Sequence, residues 1–139
     1  VVRASQVTLV LGATGCGKST QVPQAILEDC AGRGEHCRVL ATQPRRISAM
    51  SLADRIASER GGNLGDKVGY KIRFEDTVTP STQVVLCTVG ILLKVMGVNP
   101  NLEGATHVIV DEVHERDLHT DFSLTLLRRV LHHRADLKI

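Results

Sequence analysis

The chain has 139 residues, 42% hydrophobic and 23% charged, a balance that suits one compact domain with a substantial core and excludes a disordered tract. Seventeen Lys and Arg against fifteen Asp and Glu leave a net charge of +2, too little for charge alone to mark a nucleic-acid binder. No apolar run approaches the roughly 18 residues of a membrane span, and no charged start precedes an apolar stretch as in a signal peptide, so no membrane partner is expected.

The first element is Val7-Thr8-Leu9-Val10-Leu11, an aliphatic and β-branched run that reads as a strand covered on both faces. It leads into Gly12-Ala13-Thr14-Gly15-Cys16-Gly17-Lys18-Ser19, which fits the phosphate-loop pattern G-x-x-x-x-G-K-[ST] in the required place, after a strand and before a helix. Glycines let the backbone turn its N–H groups toward an anion, and a helix expected from about Lys18 to Asp29 offers that anion the positive end of its dipole. Lys18 is expected to reach the β- and γ-phosphates, Ser19 to hold Mg²⁺ through its hydroxyl, and Thr20 to add a phosphate contact.

The next strand is CRVLAT, Cys37 to Thr42, followed by a helix from about Arg45 to Arg60. The four cysteines, Cys16, Cys30, Cys37 and Cys87, form no CxxC pair and no disulfide framework, which implies a reducing, intracellular setting without separating nucleus from cytoplasm. Cys30, His36 and Cys37 lack a second pair at finger spacing, so they read as packing residues and loop polar groups rather than zinc ligands.

Further strands are expected at VGYKIRF (68–74), at TQVVLCT (82–88) with a helix through ILLKVM (91–96), and at HVIVDEV (107–113) with a helix from about Thr120 to His133. The breaks at 32–34, 61–65 and 97–101 carry turn chemistry and none is long enough to separate domains. Five strands with interposed helices predict a single α/β domain over 1–139, three layers deep, with a mostly parallel sheet flanked by helices. Ligands of such sheets collect beyond the carboxyl ends of the strands.

At one such end stand Asp111 and Glu112. Asp111 is expected to bind Mg²⁺, directly or through water, across from Ser19, and Glu112 to orient and deprotonate an attacking water, so that Ser19, Asp111 and Glu112 form the metal-side set. Neighbouring residues of a strand point to opposite faces, which would let the two carboxylates do separate work. No guanine-reading N-K-x-D string follows, and ATP, or a nucleoside triphosphate site that does not discriminate, is favoured.

Asp111 to Arg116, DEVHER, resembles motif II of the DEAH/RHA branch of superfamily 2 helicases in its DExH form, with Val113 where many members carry alanine. GATGCGKSTQ resembles motif I of that family, TQPRRISAMSLADRIASE motif Ia with its helix, GYKIRFED the segment after it, and CTVGILL motif Ib; the RNA helicase A-like group is the most similar. Together these motifs cover nearly the whole chain. The resemblance implies the first RecA-like lobe of an ATP-dependent RNA helicase, with ATP and Mg²⁺ as cofactors and single-stranded RNA as partner. It also implies a second RecA-like lobe that supplies arginine fingers, so the chain by itself is expected to hydrolyse ATP weakly.

Residue by residue, the resemblance implies that Arg55 stacks on adenine, that Arg46, Arg73 and Thr88 touch the RNA backbone, and that His114 faces the second lobe and couples nucleotide state to RNA grip. Arg116 is expected to anchor motif II by ion pairing. A nucleic-acid-binding module with little turnover and a DNA-directed helicase are the alternatives. The chain has no initiator methionine and ends in Leu137-Lys138-Ile139, an aliphatic onset, so a piece cut before the S-A-T motif of something longer is expected.

Overall fold

Alternation of aliphatic residues in the middle of the chain builds a sheet that is buried on both faces. The computed structural model describes residues 2–139. Its elements, in chain order, are α1 (Lys18–Gly32), β1 (Val39–Gln43), α2 (Arg46–Glu59), β2 (Val68–Ile72), β3 (Glu75–Asp76), β4 (Val84–Thr88), α3 (Val89–Val98), β5 (His107–Val110), a 3-10 turn (Val113–Glu115) and α4 (Leu118–Leu131).

The strands lie in the order β3-β2-β4-β1-β5, parallel throughout except for the β2–β3 hairpin. Period-two alternation divides the core into two layers. Val39 and Ala41 of β1 and Val84 and Leu86 of β4 pack with Ile26, Leu27, Ala49, Ala53 and Ile56 of α1 and α2. Cys87 and Val108, with Leu40 and Val110 beside them, pack with Leu92 and Met96 of α3 and Leu127 and Val130 of α4. Helices therefore cover both faces, the three-layer α/β arrangement expected from the alternation of elements.

Register decides where the strands stop. Gln43 of β1 pairs with Thr88 of β4, Thr42 with Val110 of β5, and Lys71 of β2 with Cys87 of β4. The carboxyl ends of the four parallel strands consequently form one rim.

Two expectations are corrected. Val7 to Leu11 is not a ladder strand covered on both faces: Val7, Leu9 and Leu11 are exposed, and the segment's ladder bonds are one from Thr8 N–H to Ile139 O (2.8 Å) and one from Ile139 N–H to Gln6 O (2.7 Å). An aliphatic run becomes a buried strand only when partners lie alongside it, and among the described residues none lies alongside Leu9 to Leu11. The fifth strand is instead the short β3, because the run VGYKIRF ends at Ile72 and turns through Phe74, whose φ is 70°.

Candidate functional site

The loop before α1 is shaped by residues that tolerate what side chains resist. Gly17, the residue preceding α1, has φ 87° in the left-handed region. It has no side chain to bond the first N–H groups of the helix, so that turn keeps its partial positive charge for an external anion. A Cβ on Gly12 would come within 2.8 Å of Cys16 Sγ, so only glycine lets the loop close against itself without moving that side chain. Lys18 curls back over this loop and donates to the carbonyls of Gly12 (2.8 Å) and Ala13 (2.9 Å). Gly15, with φ 79°, and Thr14 complete the exposed bend, while Thr20 turns inward and donates to Gly17 O (2.9 Å).

Ser19, one residue into α1, meets the end of β5. Its hydroxyl donates to Asp111 Oδ2 at 2.5 Å across 92 residues of chain. Gln43 Nε2 donates to the same oxygen at 2.6 Å, and Glu112 N–H donates to Asp111 Oδ1 at 2.9 Å. Both carboxylate oxygens are thereby oriented, and the cluster joins α1, β1 and the segment after β5.

Glu112 departs from the expected geometry. β5 ends at Val110, so Asp111 and Glu112 are not successive residues of a strand. Glu112 has φ 53°, and this left-handed turn, rather than strand alternation, separates the two carboxylates. Its Oε2 lies 3.3 Å from His114 Nε2, and both side chains face solvent. Arg116 pairs with Asp121 on α4 at 2.9 Å, the ion pair expected of it. Asp117 then caps α4 by accepting from the N–H groups of His119 and Thr120, and the Thr120 hydroxyl holds its carboxyl below the usual carboxylate range.

Arg55 projects from α2 and is 69% exposed. Its Nε donates to Glu59 Oε1 at 3.0 Å, while Glu59 Oε2 accepts from Gln24 (2.8 Å) and Gln21 (3.4 Å) on the first turns of α1. The Arg55 hydrogen bond, and after it that of Gln24, lowers the Glu59 carboxyl's pKa. Arg55 is thus linked through one carboxylate to the helix that begins at the loop.

Arg46, Thr88 and Arg73 occupy the rim. Arg46 opens α2 just past β1, Thr88 precedes α3 at the end of β4, and Arg73 follows β2 with its guanidinium 4.7 Å from the Phe74 ring centroid. No hydrogen bond or ion pair joins the three to one another among the described residues; strand register alone brings them to one edge. The residue that inspection of the sequence passed over is Gln43. It stood one position before the Pro-Arg-Arg string, as a buried polar residue at a strand end.

The sequence has known relatives. The DEAD/DEAH box helicase family model matches residues 2–133. The chain is 49% identical over 140 residues to the DExH-box ATP-dependent RNA helicase DExH3 of Arabidopsis thaliana, an alignment of 99% of this chain and 12% of that protein. It is 48% identical over 141 residues to the ATP-dependent RNA helicase DHX30 of Gallus gallus, again 99% of this chain and 12% of the relative. With the Homo sapiens DHX30 it shares 52% over 126 residues, 88% of this chain and 10% of that protein.

Proposed function

Since this chain belongs to the DEAD/DEAH box helicase family, we propose that it is the ATP-binding lobe of a DExH-type RNA helicase, holding ATP and Mg²⁺ between the phosphate loop and Asp111–Glu112. The observation that carries the reading is the 2.5 Å contact between Ser19 Oγ and Asp111 Oδ2. It brings a hydroxyl from the start of α1 and a carboxylate from the segment after β5 together beside an exposed glycine loop. They are the hard oxygen donors that Mg²⁺ takes in phosphoryl-transfer sites. Ser19 and Asp111 would hold the cation, which would offset the charge of the phosphates.

The chain's own groups do the rest. The loop N–H groups and the uncapped first turn of α1 bind the phosphates. Lys18 Nζ, which rests on the Gly12 and Ala13 carbonyls beside the loop, would turn onto the same phosphates. Glu112, turned off the strand direction and open to solvent, accepts the proton of the attacking water. Gln43 fixes Asp111, Arg55 offers a flat cation for the adenine face, and His114 beside Glu112 faces the second lobe. Arg46, Arg73 and Thr88 hold the backbone of single-stranded RNA, which positions the strand without reading its sequence.

The relatives' names state ATP-dependent RNA helicase activity for proteins roughly eight times longer than the aligned region, and the same activity is proposed for the protein at its natural length. The test uses that protein. Lys18→Ala is expected to weaken nucleotide binding and stop unwinding. Glu112→Gln is expected to retain ATP while hydrolysis falls by about 10²- to 10⁴-fold. Unwinding that survived both substitutions would make this a nucleic-acid-binding module instead.

A further inference from the structure

At the other end of α1 from the phosphate loop, three side chains far apart in sequence converge. Cys30 in the last turn of α1, Cys37 just before β1 and His107 at the start of β5 place two sulfurs and a ring nitrogen within 4.8 Å of one another. We propose that Cys30, Cys37 and His107 form a structural binding site for a thiophilic d10 cation, Zn²⁺ in the first instance.

The topology explains the meeting. Val39 pairs with His107, and Cys37 stands two residues before Val39, on the same face by strand period. Ile109, two residues after His107, packs in the same layer as α1, so His107 faces that helix as well. Cys30 is twelve residues into α1 from Lys18, about 18 Å along the helix axis, which separates this cluster from the nucleotide site.

The ligand chemistry selects the ion. Two thiolates and an imidazole are soft and borderline donors that suit Zn²⁺ and not Mg²⁺ or Ca²⁺. Around a tetrahedral Zn²⁺ such atoms sit about 3.5–3.8 Å apart, so the observed spacing needs inward shifts of about 1 Å. Two thiolates neutralise the dication, leaving no net charge among the buried residues of this layer. His107 is half-buried, so solvent can supply a fourth ligand from its side.

The surroundings already orient the ligands. The Thr106 hydroxyl donates to Arg38 O (3.1 Å), accepts from Arg38 N–H (3.0 Å) and lies 2.9 Å from His107 Nδ1, a fixed partner of the kind that holds metal-binding imidazoles in place. Arg33 donates to Cys30 Sγ at 3.6 Å, which fixes the position of that sulfur. Bound metal would pin the far end of α1 to the sheet edge and stiffen the helix that carries the phosphate loop at its other end.

Reduced chain, titrated anaerobically with Zn²⁺ and with Co²⁺ as its spectroscopic substitute, tests this. One equivalent of Co²⁺ should give thiolate-to-cobalt charge-transfer absorption, and Zn²⁺ at a hundredfold excess over Kd should raise the Tm by about 5–10 °C. Both effects should persist in Cys16→Ser, where the one exposed thiol is removed, and vanish in Cys30→Ala and His107→Leu. X-ray absorption of the zinc-loaded native chain, which needs no variant to fold, should show two sulfur neighbours and at least one nitrogen. Absence of the charge-transfer band, its persistence in Cys30→Ala, its loss in Cys16→Ser, or a zinc shell without two sulfurs would each overturn the site.

Discussion

Gln43 shows how one buried amide can link two chemistries. Its Nε2 donates to Asp111 Oδ2 at 2.6 Å, and three residues later in the chain Arg46 opens α2 on the rim. A movement of Arg46 on the proposed RNA would therefore have a path of three residues of chain and one hydrogen bond to the carboxylate proposed to hold Mg²⁺. Replacing Gln43 by leucine keeps the bulk and removes the donor, leaving Asp111 Oδ2 with Ser19 alone. Partners of metal-binding carboxylates are worth about 10- to 100-fold in metal affinity or activity. In the natural-length protein, Gln43→Leu is expected to raise the Mg²⁺ concentration for half-maximal ATP hydrolysis by at least about tenfold. An unchanged Mg²⁺ titration would confine Gln43 to packing. This residue was not legible in the sequence, because its meaning depends on β1 lying next to β5, and strand order is a property of topology that no local pattern prints.

At the scale of elements, most of the architecture could be read directly. The helices begin and end within about three residues of their expected limits, since each carries an apolar period. The bend before α1 was legible for a different reason: the spacing of its glycines matches a turn that needs positive φ at Gly15 and Gly17. What escaped was pairing. Val7 to Leu11 has the composition of a covered strand without the neighbours, and Cys30, Cys37 and His107 meet only once α1 is laid across β1 and β5. Gly65 is a further case. In the sequence it is one of several turn glycines, yet its φ is 93° and a Cβ there would lie 2.8 Å from the Thr77 carbonyl oxygen. Its own carbonyl accepts from the Thr79 hydroxyl (2.6 Å) and the Thr82 hydroxyl (2.9 Å), so it fastens the loop before β2 to the connection before β4. Backbone strain and a clash with a main-chain atom together should make Gly65→Ala cost about 3 kcal/mol, a fall in Tm of about 10 °C. Gly32→Ala, at a position with nothing within 4 Å, should leave the Tm within a few degrees and serves as the control. Equal effects of the two substitutions in thermal unfolding would contradict the crowded geometry at Gly65.

Across the whole molecule, the sheet sorts charge along its rim. The net charge of +2 conceals this sorting. From β2 through β4 to β1 the carboxyl ends lead into Arg73, Thr88 and Arg46, while β5 leads into Asp111 and Glu112. The backbone of the proposed nucleic-acid partner would be attracted to the first part and repelled from the second, whereas the carboxylates of the second suit the cation of the proposed metal–nucleotide complex, whose phosphates would lie at the loop before α1. The two proposed ligands would then share one edge without competing, with Gln43, hydrogen-bonded to Asp111, at the boundary between them. Backbone gripping has a measurable signature, because each neutralised phosphate releases counterions and adds about −0.7 to the slope of log K against log salt on a single strand. For the natural-length protein on mixed-sequence single-stranded RNA, Arg46→Ala and Arg73→Ala should each make that slope shallower by about 0.7, and the double variant by about 1.4. Thr88→Val removes a hydroxyl but no charge, so it should weaken binding at every salt concentration with little change of slope. These three outcomes separate charge neutralisation from simple contact, and both arginine slopes staying at the native value would place the RNA path elsewhere than over β2, β4 and β1.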